Sequence, residues 1–125
     1  MLDNVKTTPL LTVNDPPCCT LLNPSSAVPL LLICDHASNY IPPHLERLGL
    51  TPAQLEQHIA WDRGAADLVQ LLSDQLGCRA VLANYSRLLI DVNRDPELNE
   101  ASLIPESSDN HKIPGNLNLS ASQRH

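Results

Sequence analysis

Phenylalanine is absent from this chain, and its only aromatic residues are Tyr40, Trp61 and Tyr85. A core of stacked rings is therefore excluded, and the interior must be built from Leu, Ile, Val and Ala. Positive charge is also scarce. Eight Lys and Arg stand against fourteen Asp and Glu, a net charge of −6, which argues against nucleic acid or an acidic membrane surface as partner, because both need a basic face. The N-terminus carries Asp3 and Lys6 and no sustained apolar run, so neither a signal peptide nor a membrane span is expected. No two of the four cysteines (Cys18, Cys19, Cys34, Cys78) have CxxC spacing. Two are adjacent, and a vicinal pair rarely bridges to itself. A reduced, cytoplasmic chain is the expectation. Internal repeats and low-complexity tracts are missing as well.

With 125 residues, 42% of them hydrophobic, the chain is long enough for one domain with a real core and too short for two. Its organising stretch is Leu30 to Asn39, LLLICDHASN. An apolar run that stops abruptly at an acid and a histidine reads as a buried strand. Ligands of open α/β sheets bind beyond the carboxyl ends of strands, which puts Asp35, His36, Ser38 and Asn39 where chemistry is expected.

Residues 1–27 hold Pro9, Pro16, Pro17 and Pro24 and predict an extended, Pro-rich arm rather than a long helix or central strand. Residues 28–125 form the expected domain. Thr51-Pro52-Ala53-Gln54 carries three agreeing helix-start signals: a Thr cap, Pro at the first helical position and Gln three residues after the cap. A second helix is expected with Asp62 as its cap, an apolar stripe of Ala65, Leu68, Val69, Leu72 and Leu76, and Gly77 at its end. Arg79 to Ala83 is the next strand. Strand, helix, strand is a βαβ unit with parallel strands. From Asp95 the chain is polar and turn-rich, and Ser120 opens a helix about five residues before the end, too short to stand alone. That ending predicts a chain cut inside a larger domain.

Polar residues then gather in three clusters: Asp35 to Asn39, His58 to Gly64, and Tyr85-Ser86-Arg87 with Asp91 to Arg94. His36 and Asp62 are candidate zinc ligands, since a catalytic zinc takes about three nitrogen or oxygen ligands and leaves one position for water. Asp62 acting purely as a helix cap is the competing reading. Arg87 and Arg94 flank an apolar stretch, as partners in a structural salt bridge (Arg87 to Asp91 or Asp62) or as a fork for a substrate carboxylate.

Side by side, CDHASNYIP, LxxHIAWDRGA, YSRLLIDVNRDP and the later SLIPESSDNHKIPGNLNLS resemble the N-formylglutamate amidohydrolase family over Leu31 to Leu119. The resemblance implies a partial three-layer α/β sandwich with a mixed, mainly parallel sheet, similar to zinc-dependent exopeptidases. It implies zinc-dependent hydrolysis of an N-acyl amino acid, N-formylglutamate giving formate and glutamate. Carried over by position, it makes His36 and Asp62 metal ligands, Arg87, Asn93 and Arg94 substrate anchors, and Ser38 and Asn39 residues that line the site. Family members run to about twice this length, and their later half is expected to supply another ligand and the general base. The rival expectations are another N-acyl amino acid or peptide-like amide as substrate, and an inactive truncated fragment or non-catalytic binding module. The expected partner is a small N-acyl amino acid, with self-association through an exposed sheet edge.

Overall fold

The strand Arg79–Ala83 (β3) is the middle of a three-stranded sheet, and both neighbours register on it. The computed structural model describes residues 9–97 and 100–124; residues 1–8 of the Pro-rich arm, Leu98, Asn99 and His125 lie outside the described residues. Cys19–Leu22 (β1) pairs antiparallel with β3, and Leu31–Cys34 (β2) pairs parallel with it, giving the order β1-β3-β2. The helix Ala65–Leu76 (α2) joins β2 to β3, the crossover that a parallel pair requires. A one-turn helix, Pro52–Leu55 (α1), precedes it.

The sheet is thus mixed, with one parallel and one antiparallel pair rather than a parallel majority. The antiparallel strand comes out of the Pro-rich arm, whose prolines flank CTLL without entering it. Sheet alternation sorts the side chains onto two faces. Cys34, Ala80 and Leu82 are buried on one face, with Leu32, Ala65, Ala66 and Val69 packed against them. The other face carries Leu21, Val81 and Ile33 in register; Leu21 is 59% exposed, Leu31 52% and Ile33 64%. Among the described residues a single helical layer covers this sheet.

Two expectations about α2 are corrected. Its cap is Gly64, at φ 81°, with no side-chain cap bond; Asp62 contributes only its backbone carbonyl, which accepts from the Ala65 N–H at 3.1 Å. The Asp62 carboxylate is left for other work. The face against the sheet is Ala65, Ala66 and Val69, with Ser73 buried, while Leu68 and Leu76 are exposed. Small side chains take the contact side, and Ser73 Oγ donates to the Cys78 carbonyl at 2.7 Å, as a buried hydroxyl must. Gly77 ends the helix at φ 61°.

A second apolar cluster is built almost wholly from connecting segments: Ile41, Leu48, Leu50, Leu55, Ile59, Ala60, Tyr85, Leu88, Leu89 and Ile113. At α1 the Thr51 hydroxyl accepts from the Gln54 N–H while the Gln54 side chain accepts from the Thr51 N–H, the reciprocal cap expected from sequence. Before it, Glu46, Arg47 and Leu48 turn through left-handed backbone and seat Leu48 against Gly115. A Cβ at Gly115 would lie 2.7 Å from Leu48 Cα, so only glycine fits there. The later part of the chain adds a helical turn, Glu100–Leu103 (α3), a hairpin of Ser107–Ser108 (β4) and His111–Lys112 (β5), and a last turn, Ala121–Arg124 (α4). Among the described residues no helix is long and apolar enough to cross a membrane.

Polar contacts fasten the arm, three of them along Asp15 to Pro17. Tyr40 Oη donates to Asp15 at 2.8 Å, Tyr85 Oη to the Pro16 carbonyl at 2.6 Å, and Asn84 Nδ2 to the Pro17 carbonyl at 3.0 Å. The Thr12 N–H, the Tyr40 hydroxyl and the Thr12 hydroxyl together hold the Asp15 carboxyl below its ordinary pKa of 3.8. A lowered folded-state pKa stabilises above the unfolded value and loses that contribution as pH falls through the folded one. The Thr12 amide resonance should therefore move, and the arm loosen, only below pH 3.8, which an NMR pH titration reads directly.

Candidate metal and substrate site

The three polar clusters meet because main-chain bonds tie them together. The Asp62 N–H donates to the His36 carbonyl at 2.9 Å, and the Ser86 N–H to the Tyr40 carbonyl at 2.8 Å. The buried Ser86 hydroxyl donates to the Ala60 carbonyl at 2.8 Å, which also accepts from the Arg87 N–H at 3.3 Å. The turn after β3 is thereby bonded both to the loop leaving β2 and to the segment before Asp62. Ser86 is a positioning residue; the sequence placed it in the third polar cluster without giving it a role.

At the meeting point His36 is buried between two carboxylates. Its Nε2 lies 2.7 Å from Asp91 Oδ1 and its Nδ1 3.5 Å from Asp62 Oδ2. Asp91 is buried too and collects more: Arg87 Nη2 at 3.2 Å, Arg94 Nε at 3.7 Å, and the Asn93 N–H at 3.1 Å. Burial pushes its carboxyl pKa up; the His36 hydrogen bond, the Asn93 amide and the charges of His36 and Arg87 outweigh that and hold it below the ordinary range. Asp91 is therefore a carboxylate anion inside the protein, kept so by its donors. Arg87 also reaches Asp62, at 3.8 Å.

The expected anchors divide accordingly. Arg87 forms both salt bridges named as its structural alternatives. Arg94 meets Asp91 through Nε and the Asn93 carbonyl through Nη1 at 3.4 Å; it is exposed and lines a pocket of about 680 Å³ together with Arg87, Asp91 and Glu106. Asn93 contributes its backbone amide to Asp91. Ser38 and Asn39 turn to local structure: the Ser38 hydroxyl accepts from the Tyr40 N–H at 3.0 Å, and Asn39 Nδ2 donates to the Leu55 carbonyl at 2.9 Å. Cys34, one residue before Asp35, is buried packing in the sheet core. Burial and the nearby Asp62 and Asp35 charges push its thiol pKa up.

Two donors of the site match what a metal needs. Zinc–nitrogen and zinc–oxygen bonds of about 2.0–2.2 Å at a tetrahedral angle put neighbouring ligand atoms about 3.4 Å apart. His36 Nδ1 and Asp62 Oδ2 are 3.5 Å apart, and the other ring nitrogen is backed by a carboxylate, the usual support of a metal-bound histidine. Among the described residues no group of three or more His, Cys, Asp or Glu side chains assembles a full ligand set. The fit is to two ligands and their support.

Removing the central anion is predicted to be costly. Asp91→Asn leaves His36, Arg87 and Arg94 without their shared charge, and we expect a loss of about 2 kcal/mol in urea unfolding at neutral pH. The conservative Asp91→Glu should lose less.

Comparison with known proteins identifies the family. The family model for N-formylglutamate amidohydrolase matches residues 28–123. A crystal structure of gene product Atu2144 from Agrobacterium tumefaciens is similar, with 37% identity and a TM-score of 0.80 over 86% of this chain. This chain spans 42% of that protein's length. No curated protein matches. The matched span holds His36, Asp62, Asp91 and the arginines around them, and the chain belongs to the N-formylglutamate amidohydrolase family.

Proposed function

We propose that this chain carries part of a zinc-dependent hydrolase site for the amide bond of an N-acyl amino acid such as N-formylglutamate, with formate and glutamate as products. One observation carries the reading. His36, backed by Asp91, faces Asp62 at the spacing of two zinc ligands, in a chain of this family. Bound zinc would lower the pKa of a water to about 7 and polarise the carbonyl under attack. His36 Nδ1 and Asp62 Oδ2 would hold the metal. Asp91 accepts a hydrogen bond from His36 Nε2–H, which fixes the tautomer that leaves Nδ1 free to ligate. Arg87, held between Asp91 and Asp62, balances their charge. Arg94 touches Asp91 through a single nitrogen, so its exposed guanidinium can grip a substrate carboxylate and bring the amide into reach.

The remaining ligand and the general base belong, on this reading, to residues beyond the matched 42% of the longer relative. The uncovered row Leu21, Val81 and Ile33 is where a further layer would complete a three-layer sandwich similar to zinc-dependent exopeptidases. The free outer edge of β2 would take additional strands, or in the chain alone a second copy. A cytoplasmic setting suits the four free cysteines.

A second reading, binding without turnover, is favoured by the two-ligand donor set among the described residues. Dialysis against zinc followed by metal analysis, with formate release from N-formylglutamate measured in parallel, separates the two. In a chain extended to the length of the longer relative, which would bring in the remaining ligand and the base, hydrolysis predicts about one zinc per chain, lost in His36→Ala and Asp62→Ala, and formate release that Arg94→Ala lowers at least tenfold in kcat/KM. Saturable binding of N-formylglutamate without formate release would select the binding module.

A further inference from the structure

The pocket beside Asp91 has a charge balance opposite to that of the chain. Overall the net charge is −6, yet three arginines, Arg87, Arg94 and Arg124, line this pocket against two carboxylates, Asp91 and Glu106. An excess of guanidinium among the described lining residues, within low-dielectric walls, concentrates positive potential and selects for an anion.

These arginines are not equivalent. Arg87 is committed to the buried Asp91 and to Asp62, at 3.2 and 3.8 Å, and breaking such a pair would strand a buried charge. Arg94 is the anchor proposed above for one carboxylate. Arg124 stands apart, on α4, paired with Glu106 at 2.8 Å. Its side chain is only 17% exposed, while that of Glu106 is 53% exposed. The guanidinium is thus held in the wall, while its counter-ion, half in water already, can swing out to solvent once another carboxylate takes its place. A planar fork fixed in place with a removable carboxylate is already arranged to accept another carboxylate.

We propose that Arg124 is the specificity residue of this pocket, exchanging Glu106 for the second carboxylate of a dicarboxylate ligand. The ligand class rests on the reading above: N-formylglutamate has two carboxylates, and a site for neutral N-acyl amino acids would need to hold one. Glu106 then occupies in the empty pocket the place the ligand's carboxylate takes, and it sets the threshold that a monocarboxylate cannot overcome.

The test titrates the metal-free, isotope-labelled 125-residue chain with glutarate and with butyrate at fixed ionic strength, following amide shifts. Glutarate should bind about tenfold more tightly than butyrate. Arg124→Gln should erase that preference by weakening glutarate about tenfold with butyrate unchanged. Glu106→Gln, which removes the competitor and keeps the shape, should tighten glutarate. Glutarate bound no better than butyrate, or not bound, overturns the assignment. So does a preference that survives Arg124→Gln, or a glutarate affinity that Glu106→Gln leaves unchanged or lowers. Formate release is scored separately, in a chain extended to the length of the longer relative: its absence with the glutarate preference intact sinks the hydrolytic reading alone, and turnover without the preference sinks the role of Arg124 alone.

Discussion

A buried carboxylate must be compensated, and Asp91 is compensated by residues drawn from most of the chain. His36 comes from the end of β2, Arg87 from the turn after β3, Asn93 and Arg94 from the loop beyond. Its own N–H donates to the Leu103 carbonyl at 2.7 Å, which ties in α3. An anion in a low-dielectric interior is tolerated only while its donors stay in place. The constraint runs both ways, because each donor is also oriented by the anion. A histidine pinned through Nε2 presents Nδ1 in one direction, and that direction is toward Asp62.

Around this anion the fold divides its labour. The sheet and α2 form a small regular unit in which Ala65, Ala66 and Val69 of the helix pack against Cys34, Ala80 and Leu82 of the sheet. The loops form the second apolar cluster and carry the polar groups. Loops usually need a rigid scaffold to hold functional residues. Here they build their own, by burying Ile59, Leu88 and Ile113 and by routing Ser86 and Asn116 into carbonyls: Asn116 Nδ2 donates to Leu88 and Pro105 at 2.7 and 2.8 Å. The site therefore sits on irregular backbone that is packed as tightly as a core.

Local patterns were legible in the sequence. The strands LLIC and RAVLA, the reciprocal cap at Thr51 and the glycine ending α2 each depend on neighbours within a few residues, and each was found where spacing placed it. The facing of α2 was misjudged because leucines dominate a periodic pattern, whereas close contact with a sheet selects the alanines and the serine between them. β1 was concealed by the prolines around it. Asp62 looked like a cap, since an acid before a helix usually is one; the intervening glycine took that position. Asp91 was legible only as a partner of Arg87, four residues away. Its bond to His36 joins residues 55 apart, and no spacing rule reaches that far. The pairing of Arg124 with Glu106, 18 residues apart, was hidden for the same reason.

The uncovered row of Leu21, Val81 and Ile33 gives the molecule a thermal character that its pocket does not share. Near 25 °C, water leaving such a surface gains entropy with almost no change in enthalpy, and the attraction fades on cooling. Whatever settles on that row holds more firmly in the warm than in the cold, with a negative change in heat capacity. The arginine pocket answers to a different variable, because dissolved ions screen its field over about 10 Å at 0.1 M salt. An apolar contact on that row would thus respond to temperature, and an anion held in the pocket to ionic strength.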